Sequence, residues 1–142
     1  MNNTIQGLLT ITTDGLTHKA NEYSPLVLAY IGDGVYEMFI RTYVIAQGNA
    51  PVNKLHKASK ELVRASTQAK LYHILETYLT ENEKDILKRG RNAKSISAPK
   101  NADITEYRHA TGLEALIGYL YIDGDIARIQ ELIHLGLRKL LQ

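Results

Sequence analysis

The sequence predicts an all-α chain, and three observations carry that prediction. Apolar residues recur at helical spacing along the chain, as in Leu113, Leu116, Ile117 and Leu120. Thr80-Glu81-Asn82-Glu83 and Asp103-Ile104-Thr105-Glu106 have the form of capping boxes, in which the first and fourth side chains satisfy each other's free N–H groups. No stretch alternates convincingly with period two, and no internal repeat or low-complexity tract is present.

Taken in order, residues 1 to about 20 are Thr-rich and weakly periodic, and are expected to form a loose arm or a short capping segment. Residues 21–142 form the main domain. Its first helix begins after Ser24-Pro25, because Ser caps free N–H groups and Pro fits the first turn, and it ends near Gly48. Ile31, Val35 and Met38, with Leu28 a turn earlier, mark its expected core stripe. Tyr30, Tyr36, Phe39 and Tyr43 lie outside that stripe and suit either a surface shared between two chains or the chain's own core. A second helical stretch runs from Val52 to about Tyr78, with Leu55, Ala58, Leu62, Ala65 and Ala69 on one stripe and a break near Ser66-Thr67. Its other face carries Lys54, His56, Lys57, Lys60, Arg64, Gln68 and Lys70. The helix opened by Thr80 runs into Leu87-Lys88. Residues 88–101 then hold five cations and no acid, and Gly90 and Pro99 argue for a loop. A further helix starts at Asp103 or Thr105. Asp123-Gly124 turns the chain into a last amphipathic helix from Asp125 to Leu141.

Composition narrows the function. A chain of 142 residues with 44% hydrophobic content supports one domain with a genuine core. The absence of cysteine excludes a disulfide scaffold and any thiolate metal site. No apolar run approaches the ~18 residues of a membrane span, and the polar N-terminus does not read as a signal peptide, so a soluble cytoplasmic protein with no membrane partner is expected. A net charge of +2 is too small to argue nucleic-acid binding by itself, so position must decide. His18, His56, His73, His109 and His134 are scattered, no two at i, i+3 or i+4, and read as surface or core residues, with His56 a candidate phosphate contact.

The chemistry concentrates in the first helix. Asp33 and Glu37 are four apart and leave one helix face, with Cβ atoms roughly 5–6 Å apart. Apart from Glu22 they are the only acids between positions 20 and 50. A like-charged pair on an apolar helix is unfavourable unless a cation lies between its members, which points to a metal site. Gly32 and Gly34 flank Asp33, each costing a helix interior about 1 kcal/mol relative to Ala. Bare backbone is therefore needed there, for close helix packing or for room beside a ligand. Far along the chain, Glu114 is the only acid between Glu106 and Asp123 and sits among apolar and small residues. The basic run Lys88, Arg89, Arg91, Asn92, Lys94, Lys100, Asn101 suits phosphate and sugar contacts, or else is a solvated loop with incidental charge.

Three motifs carry a resemblance. Tyr30-Ile31-Gly32-Asp33-Gly34-Val35-Tyr36-Glu37 resembles the signature helix of the ribonuclease III family, in which a hydrophobic pair precedes Gly-Asp-small-Val-x-Glu. Lys88-Arg89-Gly90-Arg91-Asn92-Ala93-Lys94-Ser95, followed by Pro99-Lys100-Asn101, is similar to the loop characteristic of Mini-ribonuclease III, the short bacterial branch of that family. Glu114-Ala115-Leu116-Ile117-Gly118 resembles the family's second motif. The resemblance runs from about Pro25 to the C-terminus, and it implies a catalytic domain alone, with no double-stranded-RNA-binding domain.

The resemblance further implies a ribonuclease III-like endonuclease domain, a helical bundle that forms a two-fold homodimer with one active site per subunit. It implies a Mg²⁺-dependent endoribonuclease, with Mn²⁺ able to substitute, that cleaves double-stranded RNA, and a role in maturing the ends of the large-subunit (23S) ribosomal RNA precursor. Asp33 and Glu114 would be the catalytic metal ligands. Glu37 would hold a metal-bound water or pair with Arg41 at i+4. The loop residues named above, with Lys57, Lys60 and Arg64, would grip the RNA. Departures from ribonuclease III proper are plain: two glutamates that precede its Gly-Asp are Leu26 and Ala29 here, and an Asp before its second-motif Glu is Thr111. The alternative is therefore a catalytically silent ribonuclease III-like subunit that binds RNA or the ribosome.

Overall fold

All regular structure in the computed structural model is helical among the described residues, which are 16, 18–94 and 103–142. Six α-helices follow a 3₁₀ turn at Ala20–Glu22: α1 Pro25–Ala46, α2 Val52–Val63, α3 Ala65–Leu75, α4 Glu81–Asn92, α5 Ile104–Ile122 and α6 Ile126–Leu140. A second 3₁₀ turn, Glu76–Tyr78, links α3 to α4. The expected start signals operate as chemistry requires. Ser24 Oγ accepts from the N–H of Val27, and Asp103 Oδ1 accepts from those of Thr105 and Glu106. Thr80 and Glu83 form the reciprocal capping box, and Glu83 then accepts two hydrogen bonds from the Arg128 guanidinium on α6. Burial opposes the Glu83 charge, but the bonds from Arg128 and Thr80 outweigh it and hold the carboxyl below its ordinary range. Gly124 turns the chain with a positive φ, as the Asp-Gly pair predicts.

Helix α5 is the centre of the bundle and packs against α1, α3, α4 and α6. Leu113, Leu116, Ile117 and Leu120 are all buried there, on the predicted spacing. Tyr36, Ile40, Leu71, Tyr72, Leu87, Ile129 and Leu132 complete one continuous core.

Several expectations are corrected. In α1 the buried positions are Leu28, Ala29, Gly32, Tyr36, Ile40 and Val44, not Ile31, Val35 and Met38. Met38 is 65% exposed, whereas Tyr36 is 1% exposed and donates its hydroxyl to the Leu62 carbonyl at 2.6 Å, so that ring belongs to the chain's own core. Phe39 and Tyr43 are half-buried against the same core. Of the expected stripe, Leu28 is buried and Ile31 and Val35 are partly buried, so only Met38 falls on the side the chain leaves uncovered. The break in the second stretch falls at Arg64, which is extended between α2 and α3, slightly before Ser66-Thr67. Gln68 is buried rather than part of the cationic face.

Lys88, Arg89, Arg91 and Asn92 are the end of α4 and not a loop. Gly90, read as a breaker, is buried because α4 crosses α5 there: a Cβ would lie 2.7 Å from Ala115 Cβ and 2.9 Å from Gly112 Cα. Lys94 follows the helix, while residues 95–102, with Lys100 and Asn101, and most of the N-terminal arm lie outside the described residues.

Candidate active site

The site is made by the crossing of α1 and α5. At Gly32 an added Cβ would fall on the carbonyl oxygen of Glu114, and at Gly118 it would fall on the carbonyl oxygen of Leu28. The two backbones thus meet at glycines, one on each helix, with no room for a side chain between them. One of the two readings of Gly32, close helix packing, is what the structure shows. Asp33 and Glu114 lie beside this contact and both line a cavity of about 310 Å³.

The two carboxyl groups are close enough to share a hydrogen bond. Burial first, then the neighbouring Asp33 charge and that shared bond, push the Glu114 carboxyl up to about 8. Gln68 works against the shift by donating Nε2–H to Glu114 Oε2 at 3.4 Å. Burial and the Glu114 charge also push the Tyr36 phenol upward.

The remaining lining is Leu26, Ala29, Tyr30, Tyr107 and Thr111. Leu26, Ala29 and Thr111 are the positions at which the resemblance expects carboxylates, and all three border the cavity. None supplies a ligand of that kind, and Thr111 Oγ1 donates to the Tyr107 carbonyl at 3.0 Å. No cluster of three or more metal-binding acidic, His or Cys side chains occurs among the described residues. The donor set is therefore two carboxylates around an open space, which fits a hydrated hard cation such as Mg²⁺, an ion that keeps several waters and binds through one or two carboxylates. It does not fit a soft or fully dehydrated ion. A cation between Asp33 and Glu114 would relieve the repulsion of like charges that holds the Glu114 carboxyl up.

Glu37 does not line this cavity. Its Oε2 accepts from Arg41 Nη2 at 2.6 Å and from Nε at 2.9 Å, the i+4 pairing given as one of its two readings. The cationic residues divide. Lys57, Lys60, Lys88, Arg89 and Lys94 are exposed. Arg64 pairs with Glu61 at 2.9 Å, and Arg91 donates to the Tyr72 hydroxyl and to Asn92 Oδ1, each at 3.1 Å.

Two associations escaped the sequence. Gln68 looked like one more polar residue of a solvated face; its signal was position, just past a helix break. His73 and His109, far apart in sequence, lie with ring centroids 4.6 Å apart and tilted beside Tyr72, and no spacing rule could pair residues on different helices.

Comparison with known proteins places the chain in a family. The Ribonuclease III domain family matches residues 26–125, which include both carboxylates. A Mini-ribonuclease 3 of Brevibacillus brevis is 50% identical over 118 residues, covering 83% of this chain and 88% of that protein. A Mini-ribonuclease 3 of Thermoanaerobacter sp. (strain X514) is 49% identical over 115 residues, covering 81% of each. A crystal structure of a Fusobacterium nucleatum protein superposes with a TM-score of 0.77 at 33% identity, covering 86% of this chain and 98% of that one. On the helical fold, the family match and these relatives, the chain belongs to the Mini-ribonuclease 3 branch of the ribonuclease III family, a family of endoribonucleases.

Proposed function

We propose that this endoribonuclease cuts double-stranded RNA with a divalent cation, Mg²⁺ or Mn²⁺, held by Asp33 and Glu114, and that in the cytoplasm it matures the ends of the 23S ribosomal RNA precursor. The observation that carries the reading is the meeting of Asp33 and Glu114 in one cavity, two acids far apart in sequence whose proximity costs stability unless a cation joins them. When bound, the ion supplies an activated water, polarises the scissile phosphate and neutralises the leaving 3′-oxygen. The chain's own residues hold the geometry: the α1–α5 contact sets the distance between the carboxylates, and Leu26, Ala29 and Tyr107 wall the cavity.

Duplex RNA exposes phosphates and 2′-hydroxyls rather than base edges, so recognition falls to cations at the right places. Lys57 and Lys60 on α2, and Lys88 and Arg89 at the end of α4, are exposed and supply that charge. Arg64, Arg91, Asn92, Lys94, Lys100 and Asn101 extend the same grip. The active form is a homodimer joined through the uncovered apolar side of α1, where Val27, Tyr30 and Met38 are exposed, so that each subunit cuts one strand.

Cleavage of a labelled RNA duplex, with and without Mg²⁺, tests this for the wild type and Asp33→Asn side by side. Metal-dependent cuts should vanish in the variant, by about a thousandfold or more, while duplex binding survives. Binding without cleavage in both proteins would support the catalytically silent subunit instead.

A further inference from the structure

Gln68 is only 3% exposed, yet it is not a comfortable core residue. Its Nε2 donates to the Val63 carbonyl at 2.8 Å and to Glu114 Oε2 at 3.4 Å. Its Oε1 is the one buried side-chain polar atom without a hydrogen-bond partner among the described residues. Exchanging the amide oxygen and nitrogen would set two acceptors against each other at Val63, so the orientation follows from the hydrogen bonds. A buried amide oxygen without a partner is costly, and a Leu or Met of similar size would avoid that cost. A residue retained against that cost is expected at a functional site.

The surroundings show what the amide does. The last carbonyls of α2 are all taken by side chains: Glu61 by Thr67 Oγ1, Leu62 by the Tyr36 hydroxyl and Val63 by Gln68. Tyr36 stands one turn beyond Asp33, and Gln68 reaches Glu114. Tyr36 and Gln68 thus both bind the end of α2, and Gln68 is its hydrogen-bonded link to Glu114, whose charge also bears on the Tyr36 phenol.

We propose that Gln68 is a positioning residue for Glu114, fixing one carboxylate oxygen by a hydrogen bond so that the other faces Asp33 and the divalent cation. The proposal rests on the reading of Asp33 and Glu114 as the metal pair. Groups that orient a metal ligand commonly change metal affinity 10–100-fold when removed.

The test is a titration of the full chain with Mg²⁺ and, separately, Mn²⁺, followed by thermal melting, for the wild type, Gln68→Met and Glu114→Gln. The wild type should gain melting temperature along a saturable curve. Gln68→Met removes the donor to the Val63 carbonyl and so lowers the metal-free melting temperature somewhat, but its metal midpoint should also move about tenfold higher while KM for duplex RNA at saturating metal stays unchanged. A lower metal-free melting temperature with an unmoved midpoint would assign Gln68 a purely structural role and overturn the proposal. A second measurement needs no change at Gln68. In wild-type protein the Gln68 side-chain NH₂ resonances should shift on Mg²⁺ addition with the melting midpoint, and remain still in Glu114→Gln; resonances that stay fixed in the wild type overturn the proposal. If the wild type gains nothing from either ion, the metal-pair reading itself falls and takes the proposal with it. A wild-type gain matched by an identical Gln68→Met midpoint defeats the proposal alone.

Discussion

Glu114 holds its proton to about pH 8 because burial and the neighbouring Asp33 both penalise a charge there. In the unfolded chain a Glu titrates near 4.5. Between those values the folded state keeps a proton the unfolded state has lost, so in metal-free buffer Glu114 makes stability fall as pH rises from about 4.5 to 8. Glu114→Gln keeps the neutral form at every pH. In EDTA the two proteins should melt together near pH 4, with the variant melting several degrees higher at pH 8; saturating Mg²⁺ should reverse the order, because only the wild type keeps both carboxylates for the ion. Melting curves across this range, with and without the ion, check both signs. Glu37 shows the opposite economy of charge. Its neighbour Arg41 neutralises it in the open, so Glu37→Gln should change stability by only about 0.5 kcal/mol and leave the metal midpoint of the melting curve unmoved.

At the scale of elements, the contact between α1 and α5 is what converts two motifs into one site. Gly118→Ala would force the helices apart, because its Cβ falls on the Leu28 carbonyl oxygen, a backbone atom that cannot rotate away. A loss of roughly 1–3 kcal/mol in stability is expected, with cleavage reduced about a hundredfold as the carboxylates separate, measured by urea unfolding and by turnover of a duplex substrate. This contact was half legible. Gly32 beside Asp33 is a visible cost in helix propensity, with close helix packing as one of its two readings, whereas Gly118 stood only as the end of a motif. The partner of each glycine was not visible, because it lies on the other helix. The same blindness explains Gly90, a loop signal by local propensity that tertiary packing overrides. Capping boxes, by contrast, involve atoms a few residues apart, and the Thr80–Glu83 box and the Asp103 cap were both readable in advance.

For the whole molecule the unanswered demand of the sequence is the outer side of α1. Tyr30 is 82% exposed and Met38 65%, with Val27 a turn before Tyr30, and Gly34 lies between the two rings of apolar surface with nothing from its own chain near it. Unlike Gly32, Gly34 has no packing reason within the chain, yet it carries the same cost of about 1 kcal/mol. Both facts are resolved if a second α1 lies across the first. An isologous contact sets each residue near the axis against itself or a neighbour, and a glycine there lets backbones approach. Asp33 is adjacent to Gly34, so the proposed dimer would bring its two metal sites to one face, where a single duplex could meet both. Met38→Asp places like charges across that axis and leaves the chain's own core untouched, because Met38 is outside it. Sedimentation equilibrium should give twice the chain mass for the wild type and the single mass for the variant, with an unchanged helical circular dichroism spectrum. The variant should then nick duplex RNA on single strands rather than cut both together. A wild type that sediments as one chain at tens of micromolar would remove the dimer and leave Gly34 without a physical reason.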